Sequence, residues 1–141
     1  MYNMNNMKEL VIEADVQNLD QVLDFVNAEL ESCDCSPKTQ IQIDVAVEEL
    51  YVNIAHYAYK PNKGNALIRV AFNDDKDRVF ITFIDSGVPY NPLEKPDPDV
   101  TLSIDERAVG GLGIFMVKKS MDNMIYEYKD GQNILTIEKT L

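Results

Sequence analysis

The sequence predicts an α/β (α+β) two-layer sandwich, with three helices on one face of a mostly antiparallel, mixed sheet. Three observations carry that expectation. Short apolar stretches, several of them alternating with polar residues, mark strands. Apolar residues recur at helical spacing in longer stretches. The two kinds follow one another in the order βααββ, a Pro-rich stretch, then αββ. The 141 residues fit one domain, 8–141, large enough to bury a core. The polar, Asn/Met-rich start, 1–7, is expected to be flexible.

Lys8 to Ala14 reads as the first strand, since Leu10 and Ile12 alternate with Glu9, Val11 and Glu13. Leu19, Val22, Leu23, Val26 and Leu30 then form an apolar stripe, predicting an amphipathic helix from about Asn18 to Cys33. Ser36-Pro37 restarts a helix: the serine hydroxyl can cap, and proline suits the first helical position. This second helix is expected to reach about Tyr59, with Ile43, Val47, Leu50, Ile54 and Ala58 as its buried seam. Glu49 and Asn53 lie one turn apart on one flank of the seam and Glu48 on the other, so the adjacent glutamates should not be equivalent. Ala66 to Phe72 and Arg78 to Ile84 read as a hairpin across Asn73 to Asp77. Pro89 to Thr101 holds four prolines and is expected to be irregular, and a loop of that length in a compact domain is usually functional. Ile114, Val117 and Met121 mark a third helix, and Met124 to Lys129 and Ile134 to Lys139 a closing hairpin over Asp130-Gly131.

Charge excludes several functions. The net charge is −11, so the basic footprint of a nucleic-acid binder is absent and anionic membranes are disfavoured. No run approaches the roughly 18 apolar residues that span a bilayer, and the start lacks a signal-peptide core, so a cytoplasmic protein is expected. Cys33 and Cys35 are too close in sequence to bridge easily and have no nearby His for a zinc site; free thiols are expected.

Two stretches carry chemistry. Asp85-Ser86-Gly87 ends an apolar strand, and an aspartate beside a glycine can accept a hydrogen bond from an exocyclic amine such as that of adenine. On its own it reads as an Asx turn. Gly110-Gly111-Leu112-Gly113 opens a helix, where free backbone N–H groups and the helix dipole suit a phosphate; tight helix packing or a hinge is the other reading. Asn53 offers a neutral oxygen to Mg²⁺, a hard cation that takes few protein ligands, and Glu49 one turn back could deprotonate a nucleophile. A solvated polar pair is the bland alternative. Arg107 could stabilise charge on a transferring phosphate or could pair locally with Asp105 and Glu106. The lone His56 is more often structural than catalytic.

Glu49-x-x-x-Asn53, Asp85-x-Gly87 and Gly111-x-Gly113, in this order, resemble the N, G1 and G2 boxes of the GHKL ATPase superfamily. Val47 to Asn53 through Ala58-Tyr59, with the compact length, is similar to its anti-sigma-factor serine-protein kinase branch. The resemblance implies the Bergerat fold, with ATP and Mg²⁺ as cofactors. It implies Glu49 as general base for a protein serine, Asn53 as Mg²⁺ ligand and Asp85 beside Gly87 on the adenine amino group. It makes residues 88–109 an ATP lid and puts Gly111 and Gly113 on phosphates. The implied partners are a STAS-domain anti-anti-sigma protein and a sigma factor, and a homodimer through the first strand is consistent with it. An ATP-binding regulatory module without kinase activity is the alternative; a histidine kinase acting in trans fits the element order poorly. Three departures stand out. Tyr57 takes the place of a common histidine, Arg107 lies farther from the glycine turn, and Gly131-Gln132-Asn133 replaces a common Gly-Thr.

Overall fold

The computed structural model describes residues 6–94 and 111–141. Strand β1 (Met7–Glu13) is followed by a 3₁₀ turn (Val16–Asn18) and by helices α1 (Leu19–Leu30) and α2 (Pro37–Asn53). Then come β2 (Asn65–Phe72), β3 (Arg78–Asp85), α3 (Gly111–Ser120), β4 (Asn123–Lys129) and β5 (Gln132–Thr140). The strands form one sheet in the order β1-β2-β3-β5-β4. Every ladder is antiparallel, so the sheet is more uniform than the mixed one expected. The reason lies in the strand order: β2–β3 and β4–β5 are hairpins, and β4, which the α3 crossover brings in parallel to β3, is separated from it by β5.

Local chemistry explains the boundaries. The Ser36 hydroxyl accepts from the Thr39 N–H at 3.2 Å and Pro37 opens α2, as the sequence predicts. Asp130 and Gly131 both adopt positive φ (54° and 78°), the geometry of a tight hairpin turn, and Gly131 takes it without a Cβ penalty. The main departure lies after Asn53. The expected helix continues, but Ile54–Ala58 widens into a π-turn. Such turns recur at functional sites, and this one ends beside the cavity described below.

The core lies between the helices and one face of the sheet. Ile68, Val70 and Phe72 of β2 stand opposite Phe83, Ile81 and Val79 of β3, which in turn face Leu135, Ile137 and Lys139 of β5. All of these apolar side chains are buried, with Val22, Val26 and Leu30 of α1, Ile43, Val47 and Leu50 of α2, and Ile114 and Val117 of α3 above them. Burying a Val, Leu, Ile or Phe side chain contributes about 1.5–3 kcal/mol, so this seam supplies most of the drive to fold. Buried Tyr51 fastens α2 to the end of β1: its hydroxyl accepts from the Asp15 N–H at 3.1 Å and donates to the Asp15 carbonyl at 2.8 Å. Cys33 and Cys35 are free thiols. Among the described residues, no helix is long and apolar enough to cross a membrane.

Candidate nucleotide site

At one end of the sheet the core opens into a cavity of about 310 Å³, at the lower end of the range for small-molecule pockets. Leu50 and Ile54 from α2 and the π-turn, Phe83 from β3 and Leu135 from β5 give it apolar walls. Asn53, Asp85 and Asn133 supply its polar atoms, and Tyr57, Tyr90 and Tyr126 its aromatic edge.

Asp85 sits there because of strand periodicity. Val79, Ile81, Phe83 and Asp85 alternate onto the core face of β3, so the carboxylate occupies the next position of an apolar row. It is 6% exposed, and a carboxylate so placed is costly unless hydrogen-bonded. Asp85 Oδ1 accepts from the Gly87 N–H and from Asn133 Nδ2, both at 2.9 Å. The first of these is the Asx turn. The turn and a ligand acceptor are therefore compatible, because no described residue donates to Oδ2 and Asp85 lines the cavity.

Gly87 is required by close approach. A Cβ built there would lie 2.2 Å from the Ala58 carbonyl oxygen, and the adjacent Val88 N–H donates to that same oxygen at 3.0 Å. The π-turn thus presents Ala58 to the chain leaving β3. Tyr59 braces the corner, accepting from the Ser86 N–H at 2.7 Å and donating to the Asn65 carbonyl at 2.6 Å.

Glu48 is exposed and Glu49 half-buried, which is the inequivalence the helical wheel predicts. Asn53 lines the cavity, and no described residue hydrogen-bonds its side-chain amide. Glu49, one turn back, stands against the first turn of α3, where a Cβ at Gly113 would fall 1.8 Å from Glu49 Oε1. Gly111, Leu112 and Gly113 all lie in that turn. Helix α3 therefore begins beside Glu49. Arg107 and Gly110 lie outside the described residues, as does most of the expected lid. Its opening residues are irregular apart from one 3₁₀ turn, Pro92–Glu94. His56 is exposed, with its ring centroid 5.9 Å from that of Tyr57, and does not line the cavity, whereas Tyr57 does.

Sequence reasoning missed Asn133 and Tyr126. A strand predicted to begin at Ile134 leaves Asn133 just outside it, yet Asn133 keeps the two-residue phase of Leu135 and Ile137 and pairs with Asp85 across the ladder. That phase was the available signal. Burial pushes the Tyr126 phenol above its ordinary value, with the nearby Asp85 charge acting in the same direction, so it stays a neutral donor.

A one-faced antiparallel sandwich with a buried aspartate, a glycine held against a helix end and a helix starting at a glutamate defines a Bergerat-type ATPase domain. The model of the histidine kinase-like ATPase domain matches residues 12–139, and the chain belongs to that family. It is 26% identical over 102 residues to the serine/threonine-protein kinase BtrW of Bordetella bronchiseptica, covering 72% of this chain and 71% of that one. It is 28% identical over 95 residues to the serine-protein kinase RsbW of Bacillus cereus, covering 64% and 58%. For the RsbW of Staphylococcus aureus the identity is 30% over 94 residues, covering 64% and 59%. The chain thus spans under two thirds of the length of these RsbW relatives. Among solved structures it resembles the RsbU and RsbW domains of a Mycobacterium tuberculosis protein, with a TM-score of 0.65 and 17% identity over 95% of this chain and 32% of that one. That likeness establishes the fold.

Proposed function

We propose that this chain is a Mg-ATP-dependent protein-serine kinase of the anti-sigma type, phosphorylating a STAS-domain (anti-anti-sigma) protein in a switch that controls a sigma factor. The observation that carries the reading is the buried Asp85 in an otherwise apolar cavity, with one oxygen held by the protein and the other without a described donor. An apolar slot with a fixed acceptor suits a flat, amine-bearing base. Kinship with kinases supports the reaction type.

In this account adenine enters between Ile54 and Leu135, its amino group donating to Asp85 Oδ2. The phosphates run toward Gly111 and Gly113 in the first turn of α3, since the N–H groups of a helix start suit an anion. Glu49 takes the proton of the partner's serine hydroxyl, the serine oxygen bonds to the γ-phosphorus, and the bond from that phosphorus to the β–γ bridging oxygen breaks to release ADP. Arg107 stabilises charge on the transferred group. The Asn53 amide, which has no hydrogen-bond partner among the described residues, fits a hard cation: Mg²⁺ held there would neutralise phosphate charge. The lid of this proposal is residues 88–109, of which only 88–94 are described, and two copies would pair through the edge strand β1.

The test is transfer of labelled γ-phosphate from Mg-ATP to a STAS-domain protein, with wild type beside Glu49→Gln. Phosphoserine formed by wild type, and formed about 10²–10⁴-fold more slowly by the variant, supports a kinase with its base at Glu49. One feature favours a second reading, an ATP-binding module without transfer: Tyr57, at the place where the family resemblance implies a histidine, lines the cavity. ATP-dependent binding of the partner with no phosphoserine would select it.

A further inference from the structure

We propose that Asn133, backed by Tyr126, is the positioning residue that makes this cavity select a 6-amino purine over a 6-oxo purine. The inference deepens the nucleotide reading above and rests on it. Asn133 is 6% exposed, and all four hydrogen-bonding positions of its amide are used. Nδ2 donates to Asp85 Oδ1 and to the Val88 carbonyl, both at 2.9 Å. Oδ1 accepts from the Tyr90 N–H at 3.0 Å and from the Tyr126 hydroxyl at 2.5 Å.

These partners fix which way round the amide lies. Flipped, it would aim its oxygen at a carboxylate oxygen and a carbonyl, and its NH₂ at the Tyr90 N–H, exchanging attractions for repulsions. Only the observed orientation satisfies the site. Its consequence falls on Asp85: Oδ1 already takes two N–H donors, so the carboxylate cannot turn without breaking both, and Oδ2 remains as the acceptor toward the cavity. A carboxylate held so accepts from an amine and repels a carbonyl oxygen, which separates adenine from hypoxanthine at the same ring position. A hydroxyl side chain at 133 could donate only once and could not hold Asp85 and Val88 together. The same amide also fastens Val88 and Tyr90, two wall residues of the cavity, to β5.

The experiment is calorimetric titration of wild type, Asn133→Ala and Tyr126→Phe with ATP and with inosine triphosphate, each variant also melted without nucleotide. Wild type is expected to prefer ATP by about a hundredfold or more, since a site built around a hydrogen bond rejects the ligand that cannot make it. Asn133→Ala is expected to weaken ATP at least about tenfold while changing inosine triphosphate far less, so the preference collapses. Tyr126→Phe, which keeps the amide but removes one of the two donors to its Oδ1, moves the preference the same way by a smaller factor and serves if the alanine variant does not fold. Faster hydrogen exchange at the Tyr90 amide in Asn133→Ala, without nucleotide, is the matching structural sign. A wild-type preference retained in both variants, or an equal loss for both nucleotides, overturns the role of Asn133 alone. Wild type that binds neither nucleotide overturns the nucleotide reading and this inference with it.

Discussion

Gly113→Ala isolates what the α3 turn does for Glu49. The added Cβ would fall 1.8 Å from Glu49 Oε1 and 2.1 Å from Glu49 Cδ. An ordinary non-bonded contact needs the carboxylate to retreat by about 1.5 Å or more. The obstacle is the tip of a flexible side chain, so the retreat costs little folding energy, and alanine recovers up to about 1 kcal/mol of helix propensity. Chemistry is less forgiving: a misplacement of about 1 Å costs around 10²-fold in rate, near 2.7 kcal/mol of barrier. The variant should therefore melt within a few degrees of wild type and transfer phosphate about 10²-fold more slowly. A double-mutant cycle with Glu49→Gln closes the argument. If Gly113 acts by making room for Glu49, the double variant should be no slower than Glu49→Gln within about twofold. Transfer by Gly113→Ala near the wild-type rate, or losses that multiply in the double variant, would refute the reasoning.

Gly87→Ala behaves in the opposite way. Its Cβ would meet the Ala58 carbonyl oxygen at 2.2 Å and the Ala58 Cβ at 2.6 Å, and backbone cannot step aside. Overpacking of this kind costs about 1–3 kcal/mol, so thermal unfolding should show a Tm several degrees lower, together with weakened ATP binding. Asp44 yields a pH prediction. Burial raises its carboxyl above the ordinary 3.8, opposed by a hydrogen bond with Asn27, and its Oδ1 is buried with no partner among the described residues. The folded state then holds this proton to higher pH than the unfolded chain, so stability falls as pH rises from the unfolded value through the folded one. Asp44→Asn should raise Tm at pH 7 and lose its advantage near pH 4; a Tm difference independent of pH, read by melts across that range, contradicts the assignment.

Much of the fold was legible because its signals are local. The Ser36-Pro37 start, the Asp130-Gly131 turn and the alternating rows of β2 and β3 each specify backbone geometry without help from distant residues. The opposite fates of Glu48 and Glu49 followed from helical phase alone. What escaped depends on pairing across the molecule. The π-turn at Ile54–Ala58 lies where Gly87 and Val88 pack, a contact no helical window contains. Asn133 became visible as a site residue only when the β3–β5 register set it opposite Asp85. Polar residues just after a turn read as turn chemistry until the strand phase behind them is carried backwards.

Every step of the account depends on an adenine nucleotide seated at Asp85. Calorimetric titration of Mg-ATP into wild type and Asp85→Ala tests it most directly, with the melting temperature of each protein measured alongside. The account predicts one binding site per chain in wild type and a loss of affinity of about 10²-fold or more in a variant that remains folded. Equal binding by the two proteins, or none by wild type, would contradict it.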